Sequence, residues 1–248
     1  MNIGLYQGAA SLDSLEQWQN ATAHNLAFAT AAGFKKAGMA FNAVEMGAMP
    51  SVTGRQFEQV VGGLTPSGHT EIIHSQGAMV YSEQPTHAAL QGPGFFEVED
   101  INGDTIYTRD GQFLLNNEGR LVTKSGLEVK GQGGSIQTVP GQGTVHYDAR
   151  GNVFQGTTQI GSLAISKVDA LDQLVPRGTG FALPAGSDAI VEPLLEAQVV
   201  PGAYEASNVS PVEEMVKMIQ ISRAYEASQE VIQTYDERYE QSATAFRV

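Results

Sequence analysis

The chain has 248 residues, of which 42% are hydrophobic, so it is long enough to bury a substantial core. Its 27 Asp and Glu residues outnumber its 14 Lys and Arg residues, and a net charge of -13 repels nucleic acid and anionic lipid. The chain has no Cys, which excludes disulfides, thiolate metal sites and Cys nucleophiles. Neither a secretory signal pattern nor a run of about 20 apolar residues occurs, so we expect no cleavable signal peptide and no membrane insertion.

The first 33 residues predict an amphipathic helix. From about residue 3 to about residue 30, apolar residues recur at spacings of three and four. These apolar residues are Leu5, Ala9, Leu12, Leu15, Trp18, Leu26 and Ala29. Gly33 follows the periodic pattern and predicts the end of this segment. We therefore assign residues 1–33 to an N-terminal helix, and residues 34–75, in which Gly, Pro and Ser are scattered, to an extended, partly irregular connector.

A β-rich domain is predicted over residues 76–205. Asn102 and Gly103 join two short alternating runs and predict a hairpin turn. Further turn signals occur near Asn117 to Gly119, near Lys124 to Gly126 and within HYDARGNVFQ. This pattern predicts an antiparallel sheet or barrel, and the fold class of the whole chain is predicted to be α+β.

Residues 206–248 predict a long C-terminal helix. Ser210, Pro211 and Glu213 fit a helix start, because a Ser hydroxyl accepts from a free backbone N–H, Pro suits the first helical position and Glu reaches back to the cap. No Gly or Pro follows before Phe246. A helix of about 35 residues would extend about 50 Å at about 1.5 Å per residue.

The apolar pattern of the C-terminal helix repeats every seven residues. The repeat consists of Met218, Tyr225, Ile232, Tyr239 and Phe246, with Ile221, Ser228, Tyr235 and Ser242 as a companion set three places on. Such a repeat is typical of helices that wrap around one another. Its polar members weaken a two-stranded zipper and favour association of many copies. A long surface helix packed on the β-rich domain is the alternative interpretation.

Apolar stripes at both chain ends need a cover. Two terminal helices cover one another only in part, and exposed stripes of this size usually mark a partner site. We therefore expect the chain ends to become fully ordered on assembly with other subunits. Circular dichroism and proteolysis of the isolated chain test this expectation, and two fully helical, protected termini would contradict it.

Three separated segments carry motifs that occur together in one family. They are Ala23–Ala27 with Ala31–Lys36; His74–Gly77 with GPGFFEV, YTRDGQF and GRLVTKSGLEV; and EASNVSPVEEMVKMIQISRAYEASQEVIQTYDE. In content and order they resemble the bacterial flagellar rod and hook proteins. The resemblance implies a non-enzymatic rod subunit, exported by the flagellar type III apparatus and polymerised as a torque-transmitting shaft through the periplasm. It also implies that residues 1–33 and 206–248 form an inner, coiled-coil-like layer, with the β-rich domain outside.

The chain departs from the family pattern at two positions of the first helix. Phe28 stands where a second Asn is usual, and His24 replaces another common Asn, which removes polar groups suited to capping the helix end. The absence of a large inserted outer domain fits a rod subunit better than a hook subunit. Within the rod, we favour the proximal over the distal part.

No motif predicts catalysis, a cofactor or a metal. The His residues lack metal-binding spacing, and Asp100, Asn102 and Asp104 open like a calcium loop, but Thr105 and Gly111 stand where Gly and Glu are required. The Gly clusters lack the context of a nucleotide loop, and no nucleophile elbow occurs. The rival interpretation is a secreted β-rich binding protein or a glycan-acting enzyme with helical extensions.

The candidate site is therefore an assembly interface, whose partners are copies of the chain and other flagellar rod subunits. No nucleic acid and no small-molecule substrate is expected. The candidate residues are Leu5, Leu12, Asn25, Leu26, Gly33, Phe34, Met215, Met218, Ile221, Tyr225, Ile232, Tyr235, Tyr239 and Phe246.

Overall fold

The computed structural model describes residues 3–45 and 64–245, which form two compact units. The helical unit contains the described residues of Met1–Ala27, Ala37–Ile72 and Ser210–Val248. The β unit contains Phe28–Lys36 and Ile73–Val209. The chain therefore crosses between the units at four points.

Two long helices are the main elements of the helical unit. Helix α1 spans Ile3–Ala27, and helix α2 spans Pro211–Ala245. The start of α2 confirms the predicted helix start, and its 35 residues confirm the expected length. Helix α1 ends slightly before the expected end, where the chain enters a turn closed by a hydrogen bond from the Ala31 N–H to the Phe28 carbonyl at 3.0 Å. Within the described ranges, no helix is long and apolar enough to cross a membrane.

Two strands lie within the segment predicted as a connector. Strand β1, Ala37–Glu45, pairs antiparallel with strand β2, Leu64–Ile72, along their full length. Both strands contact α1. The predicted connector is therefore regular over these two strands, and its residues 46–63 lie outside the described ranges.

Seventeen short strands form the β unit. They are β3 Met79–Tyr81, β4 Ala88–Gln91, β5 Phe95–Glu99, β6 Thr105–Thr108, β7 Leu114–Leu115, β8 Leu121–Val122, β9 Glu128–Gly131, β10 Gly134–Ser135, β11 Val145–Tyr147, β12 Asn152–Gln155, β13 Thr158–Ser162, β14 Ile165–Val168, β15 Val175–Arg177, β16 Gly180–Ala182, β17 Val191–Pro193, β18 Gln198–Pro201 and β19 Ala203–Glu205. A short 3-10 helix, Leu171–Gln173, precedes β15.

The strands of the β unit form one large sheet and three small ones. The ten-stranded sheet has the order β15, β16, β6, β5, β9, β8, β7, with β10, β14 and β17 paired at its side. Strands β11, β12 and β13 form a second sheet, while β18 pairs with β4 and β19 with β3. All these pairs are antiparallel. The predicted α+β class with antiparallel strands is confirmed.

The predicted hairpins are present, with one difference in a turn. Strands β5 and β6 pair as predicted around Asn102 and Gly103. Their connection is closed by a hydrogen bond from the Asp100 N–H to the Asp104 carbonyl at 2.9 Å, so it is longer than the two-residue turn that Asn-Gly typically forms. Gly126 has a φ of 87°, which confirms the turn predicted to end there.

Apolar side chains from many strands form the core of the β unit. Phe96 and Phe113 are fully buried and meet edge to face, with ring centroids 5.1 Å apart. Other members of the core include Leu90, Val98, Leu121, Val129, Val153 and Leu163. This core fixes the strands and loops that hold the segment following α1.

Candidate assembly interface

One side of α2 is covered by α1. Its buried and half-buried residues include a set spaced alternately by four and three positions, which we call the inner stripe: Glu214, Met218, Ile221, Tyr225, Ser228 and Ile232. Ile221 is fully buried. Apart from Glu214, the inner stripe consists of members of the predicted seven-residue repeat. The repeat therefore marks the side of α2 that meets α1 of the same chain.

Two contacts fix the direction and register of the helix pair. Asn25 Nδ2 lies 3.1 Å from Glu214 Oε2, near the end of α1 and the start of α2. Near the other end of the pair, a Cβ added to Gly8 would lie 2.9 Å from Ile232 Cγ1, so Gly leaves room for this Ile. The two helices are therefore antiparallel.

Asn25 joins three elements of the helical unit. Besides its contact with Glu214, its side chain donates to the Ala37 carbonyl and accepts from the Ala37 N–H, both at 2.8 Å. The buried Glu214 carboxylate also pairs with Lys217 Nζ at 2.6 Å. Removing either partner of this buried polar contact would leave unpaired groups, at a cost of about 1–3 kcal/mol.

The other candidate residues of the two helices differ in exposure. Leu12 and Leu26 are half-buried on α1, whereas Met215 and Tyr235 on α2 are 47% and 44% exposed. The side chains of three candidates lie outside the described residues: Leu5, Tyr239 and Phe246.

A second apolar surface lies on the side of α2 opposite the inner stripe. This outer patch consists of Val212, Met215, Val216 and Ile219, which are 67%, 47%, 49% and 56% exposed. At about 100° per residue, Val212 lies about 180° around the helix from Ile221. The outer patch is therefore out of reach of α1. Only Met215 is among the sequence-predicted residues, because the seven-residue repeat points to the opposite side of the helix.

The segment that follows α1 is docked in the β unit. The Gly33 N–H donates to the Glu205 carbonyl at 2.7 Å, and Gly33 has a φ of 68°. A Cβ at Gly33 would lie 2.2 Å from Asp110 N, so any larger residue would force the backbone apart. Beside it, the buried Phe34 ring stacks on Phe28 with centroids 5.2 Å apart.

Lys35 of this docked segment, together with Arg109, Glu205 and Asn208 from the rest of the β unit, forms a set that we call the junction cluster. The fully buried Glu205 carboxylate lies 2.5 Å from Lys35 Nζ through Oε1 and 3.3 Å from Arg109 Nη1 through Oε2. It also accepts a hydrogen bond from the Gly77 N–H at 2.8 Å. One carboxylate thus compensates two buried cations.

The pKa shifts of the two cations show what burial costs them. Burial lowers the pKa of Lys35, and the adjacent Glu205 carboxylate opposes the shift. Burial likewise lowers the pKa of Arg109, again opposed by Glu205. Burial also lowers the pKa of His74, and the positive charge of Lys35 adds to that shift. Glu205 is therefore the group on which the charge balance of the cluster depends.

Asn208 ties together chain segments next to the points where they leave the β unit. Its Oδ1 accepts from the Lys36 N–H at 2.7 Å, and its Nδ2 donates to the Ile73 carbonyl at 2.8 Å. Its own N–H donates to the Phe34 carbonyl at 3.3 Å. Lys36, Ile73 and Val209 are the β-unit residues at three of the four crossings. A single hydrogen-bonded network therefore holds these crossing points.

The sequence motifs contain all four residues of the junction cluster, but nothing in them indicates that Glu205 pairs with Lys35 and Arg109. Glu205 lies 170 residues from Lys35 along the chain, so spacing rules that detect helices and hairpins do not detect their contact. Correlated substitutions in related sequences are the kind of signal that reveals such a pair.

The acids of the β5–β6 connection are paired with an Arg. Arg177 Nη2 lies 3.0 Å from Asp100 Oδ2, and Arg177 Nη1 lies 2.9 Å from Asp104 Oδ2. Within residues 3–45 and 64–245, no group of three or more His, Asp or Glu side chains is placed to hold a metal ion.

Two family models match parts of the chain. The model described as "Flagellar basal body rod FlgEFG protein C-terminal" matches residues 200–245, which include α2. The model described as "Flagellar hook protein FlgE/F/G D1 domain" matches residues 89–160, which include the strands from β5 to β12.

Several proteins are similar to the chain over nearly its whole length. The flagellar basal-body rod protein FlgF of Caulobacter vibrioides is 32% identical over 228 residues, which cover 92% of this chain and 91% of that protein. FlgF of Salmonella typhimurium is 31% identical, covering 96% and 95%. The rod protein FlgG of Buchnera aphidicola subsp. Acyrthosiphon pisum is 32% identical, covering 94% and 95%. These matches give no support to the rival interpretation as a binding protein or glycan-acting enzyme.

Proposed function

Because the chain belongs to the flagellar basal-body rod protein family, we propose that it polymerises through its terminal helices into the torque-transmitting shaft of the basal body. The outer patch of α2 carries this proposal. Its four apolar residues are 47–67% exposed, on a helix whose other side packs on α1, and exposed apolar surfaces of this kind mark contacts with other chains. On this proposal α1 and α2 form the inner, coiled-coil-like layer, and the β unit faces outward.

We propose two roles for the candidate interface residues. Residues of the inner stripe such as Ile221 hold the helix pair together and so present the outer patch, while Met215 and Tyr235 meet the neighbouring chain directly. Gly33 and Phe34 hold the segment after α1 in the β unit. The remaining candidates keep the role given by their place in the apolar repeats: Leu5, Leu12, Leu26, Tyr239 and Phe246.

Within the family, we propose that the chain is the counterpart of FlgF rather than FlgG. The alignment with C. vibrioides FlgF has 228 positions and covers 92% of 248 residues, or about 228, so it needs almost no gaps. The alignment with B. aphidicola FlgG has 256 positions for 94% of the chain, or about 233 residues, so this chain lacks about 23 positions found in that protein. Within the rod, we propose a proximal rather than a distal position. Immunogold labelling of the distal half of isolated rods would contradict that position.

We further propose that the flagellar type III apparatus exports the chain, which then assembles in the periplasm with copies of itself and other rod subunits. Family membership supports this route. In a strain lacking the export apparatus, the chain is expected to be absent from the periplasmic fraction. An unchanged periplasmic level in that strain would contradict the export proposal.

The polymerisation proposal is tested in cells that carry only a variant chain. Deletion of residues 211–248 should abolish both motility and recovery of the chain in basal bodies. Val216→Asp, which places a charge in the outer patch without touching the inner stripe, should reduce that recovery at least tenfold. The matched control is Ile101→Asp, at a 94% exposed position in the β5–β6 connection, and it should leave recovery unchanged. Normal motility with either helix variant would refute the proposal.

A further inference from the structure

The outer side of α1 has the same spacing as the outer side of α2. Its exposed residues are spaced alternately by four and three positions, and we call them the outer row of α1: Ala9, Asp13, Glu16, Asn20, Ala23 and Ala27. The row has two carboxylates near its centre and Ala at both ends. On α2 the outer patch continues at the same spacing to an exposed Arg, which gives the outer row of α2: Val212, Val216, Ile219 and Arg223.

The register of the helix pair gives the level of each residue along it. Asn25 faces Glu214 and Gly8 faces Ile232, so the residue numbers of facing positions add up to 239 or 240. The same relation assigns levels to the two outer rows: Ala27 with Val212, Ala23 with Val216, Asn20 with Ile219, and Glu16 with Arg223.

The two outer rows are complementary at these levels. Val216 is level with the small Ala23, and a branched side chain opposite a methyl group lets two helices approach closely. Arg223 is level with Glu16, so opposite charges meet. Among the described residues, neither Arg223 nor Glu16 has an ion-pair partner. Size and charge therefore match along the same register.

Within one chain the two outer rows lie on opposite sides of the helix pair, about 20 Å apart for helices of about 10 Å diameter, so they do not meet. We propose that the outer row of α2 docks on the outer row of α1 in a second copy of this chain, and that the two copies lie at the same level along their helix axes. Such a contact is heterologous and leaves one unused row at each end of an oligomer, so copies add without two-fold closure. The proposal rests on the proposed function, because it names the neighbour that covers the outer patch.

Disulfide trapping tests the contact in isolated basal bodies, and the absence of native Cys makes the products unambiguous. The double variant Val216→Cys with Ala23→Cys should form linked dimers and larger oligomers on oxidation. Each single variant should stay monomeric, because in the proposed contact a Cys on one row faces the other row of the next copy, which then carries no Cys. The register control combines Val216→Cys with Glu16→Cys. It moves one Cys by seven residues, about 10 Å along the axis, and should cross-link at least tenfold less.

Two results would overturn the inference while leaving the proposed function intact. Dimers of the Val216→Cys single variant would show a two-fold contact between α2 helices. Cross-links of the double variant to a different rod protein, with none between copies, would show another neighbour on the outer patch. Failure of the proposed function is distinguishable, because the wild-type chain would then be absent from basal bodies.

A charge exchange tests the same contact without Cys. It shows whether the two outer rows meet even if the double Cys variant does not enter basal bodies. Arg223→Glu should lower recovery of the chain in basal bodies at least fivefold. Adding Glu16→Arg should restore it, because the opposite charges then meet again between copies. Adding Glu226→Arg instead, at an exposed position outside the row, should not restore it. Equal recovery with both second changes would overturn the register.

Discussion

Replacing Glu205 by Ala should strongly destabilise the β unit. The change removes the carboxylate that compensates Lys35 and Arg109, whose side chains are only 1% and 7% exposed. A buried charge that loses its partner costs about 3–5 kcal/mol, and we expect a loss in that range. Glu205→Gln keeps an acceptor for the Gly77 N–H and loses only the charge, so its loss should be about half as large.

Urea titration measures this loss, with amide hydrogen exchange of the β strands as the probe of unfolding. Trp fluorescence is unsuitable here, because the only Trp of the chain, Trp18, lies in α1 and reports on the helical unit. The matched control is Glu118→Ala. It removes an acid that pairs with Arg120 at 3.3 Å on the surface and should cost less than about 1 kcal/mol. A Glu205→Ala variant no less stable than this control would refute the assigned role of the cluster.

Three further changes have defined outcomes. Gly33→Ala should destabilise the β unit by about 3 kcal/mol or more in the same titration, because its Cβ meets backbone, whereas Gly126→Ala, with a positive φ but open space, should cost about 1 kcal/mol. Ile232→Asp places a charge against α1, so it should lower the free energy of unfolding of the helical unit by about 2–3 kcal/mol, measured by Trp fluorescence, and block incorporation into the rod. The exposed control Gln233→Asp should change that free energy by no more than about 0.5 kcal/mol. Burial lowers the pKa of His87, so the unfolded chain binds a proton at a higher pH than the folded chain does. As the pH drops below 6.5, the free energy of unfolding should therefore fall by up to about 1.4 kcal/mol per pH unit. Urea titrations of His87→Gln at the same series of pH values should show a shallower fall.

Local patterns in the sequence predict the helices and most hairpins. The start of α2 follows from Ser210 and Pro211, and the turn at Gly126 follows from a residue that favours positive φ. The seven-residue repeat lies on the side of α2 that packs on α1 of the same chain, and its predicted role between subunits stays a prediction. These signals depend on neighbours within a few turns of chain, which a single sequence contains.

Contacts between distant segments explain what the sequence does not predict. The repeat of α2 does not reveal that its first partner is α1 of the same chain, and it hides the outer patch around Val216 on the opposite side. The pairing of β1 with β2 crosses a long intervening segment. Lys35 and Glu205 lie 170 residues apart, and nothing in the residues around either of them indicates that its charge is buried rather than exposed to solvent. Such contacts are fixed by tertiary packing rather than by spacing.

The most direct test of the account is the structure of this chain inside an isolated basal body, determined by electron cryomicroscopy at side-chain resolution. We expect the chain to lie in the rod, with the outer patch of α2 buried against another chain. A rod in which α1 and α2 contact only their own chain would contradict it, as would a basal body without this subunit.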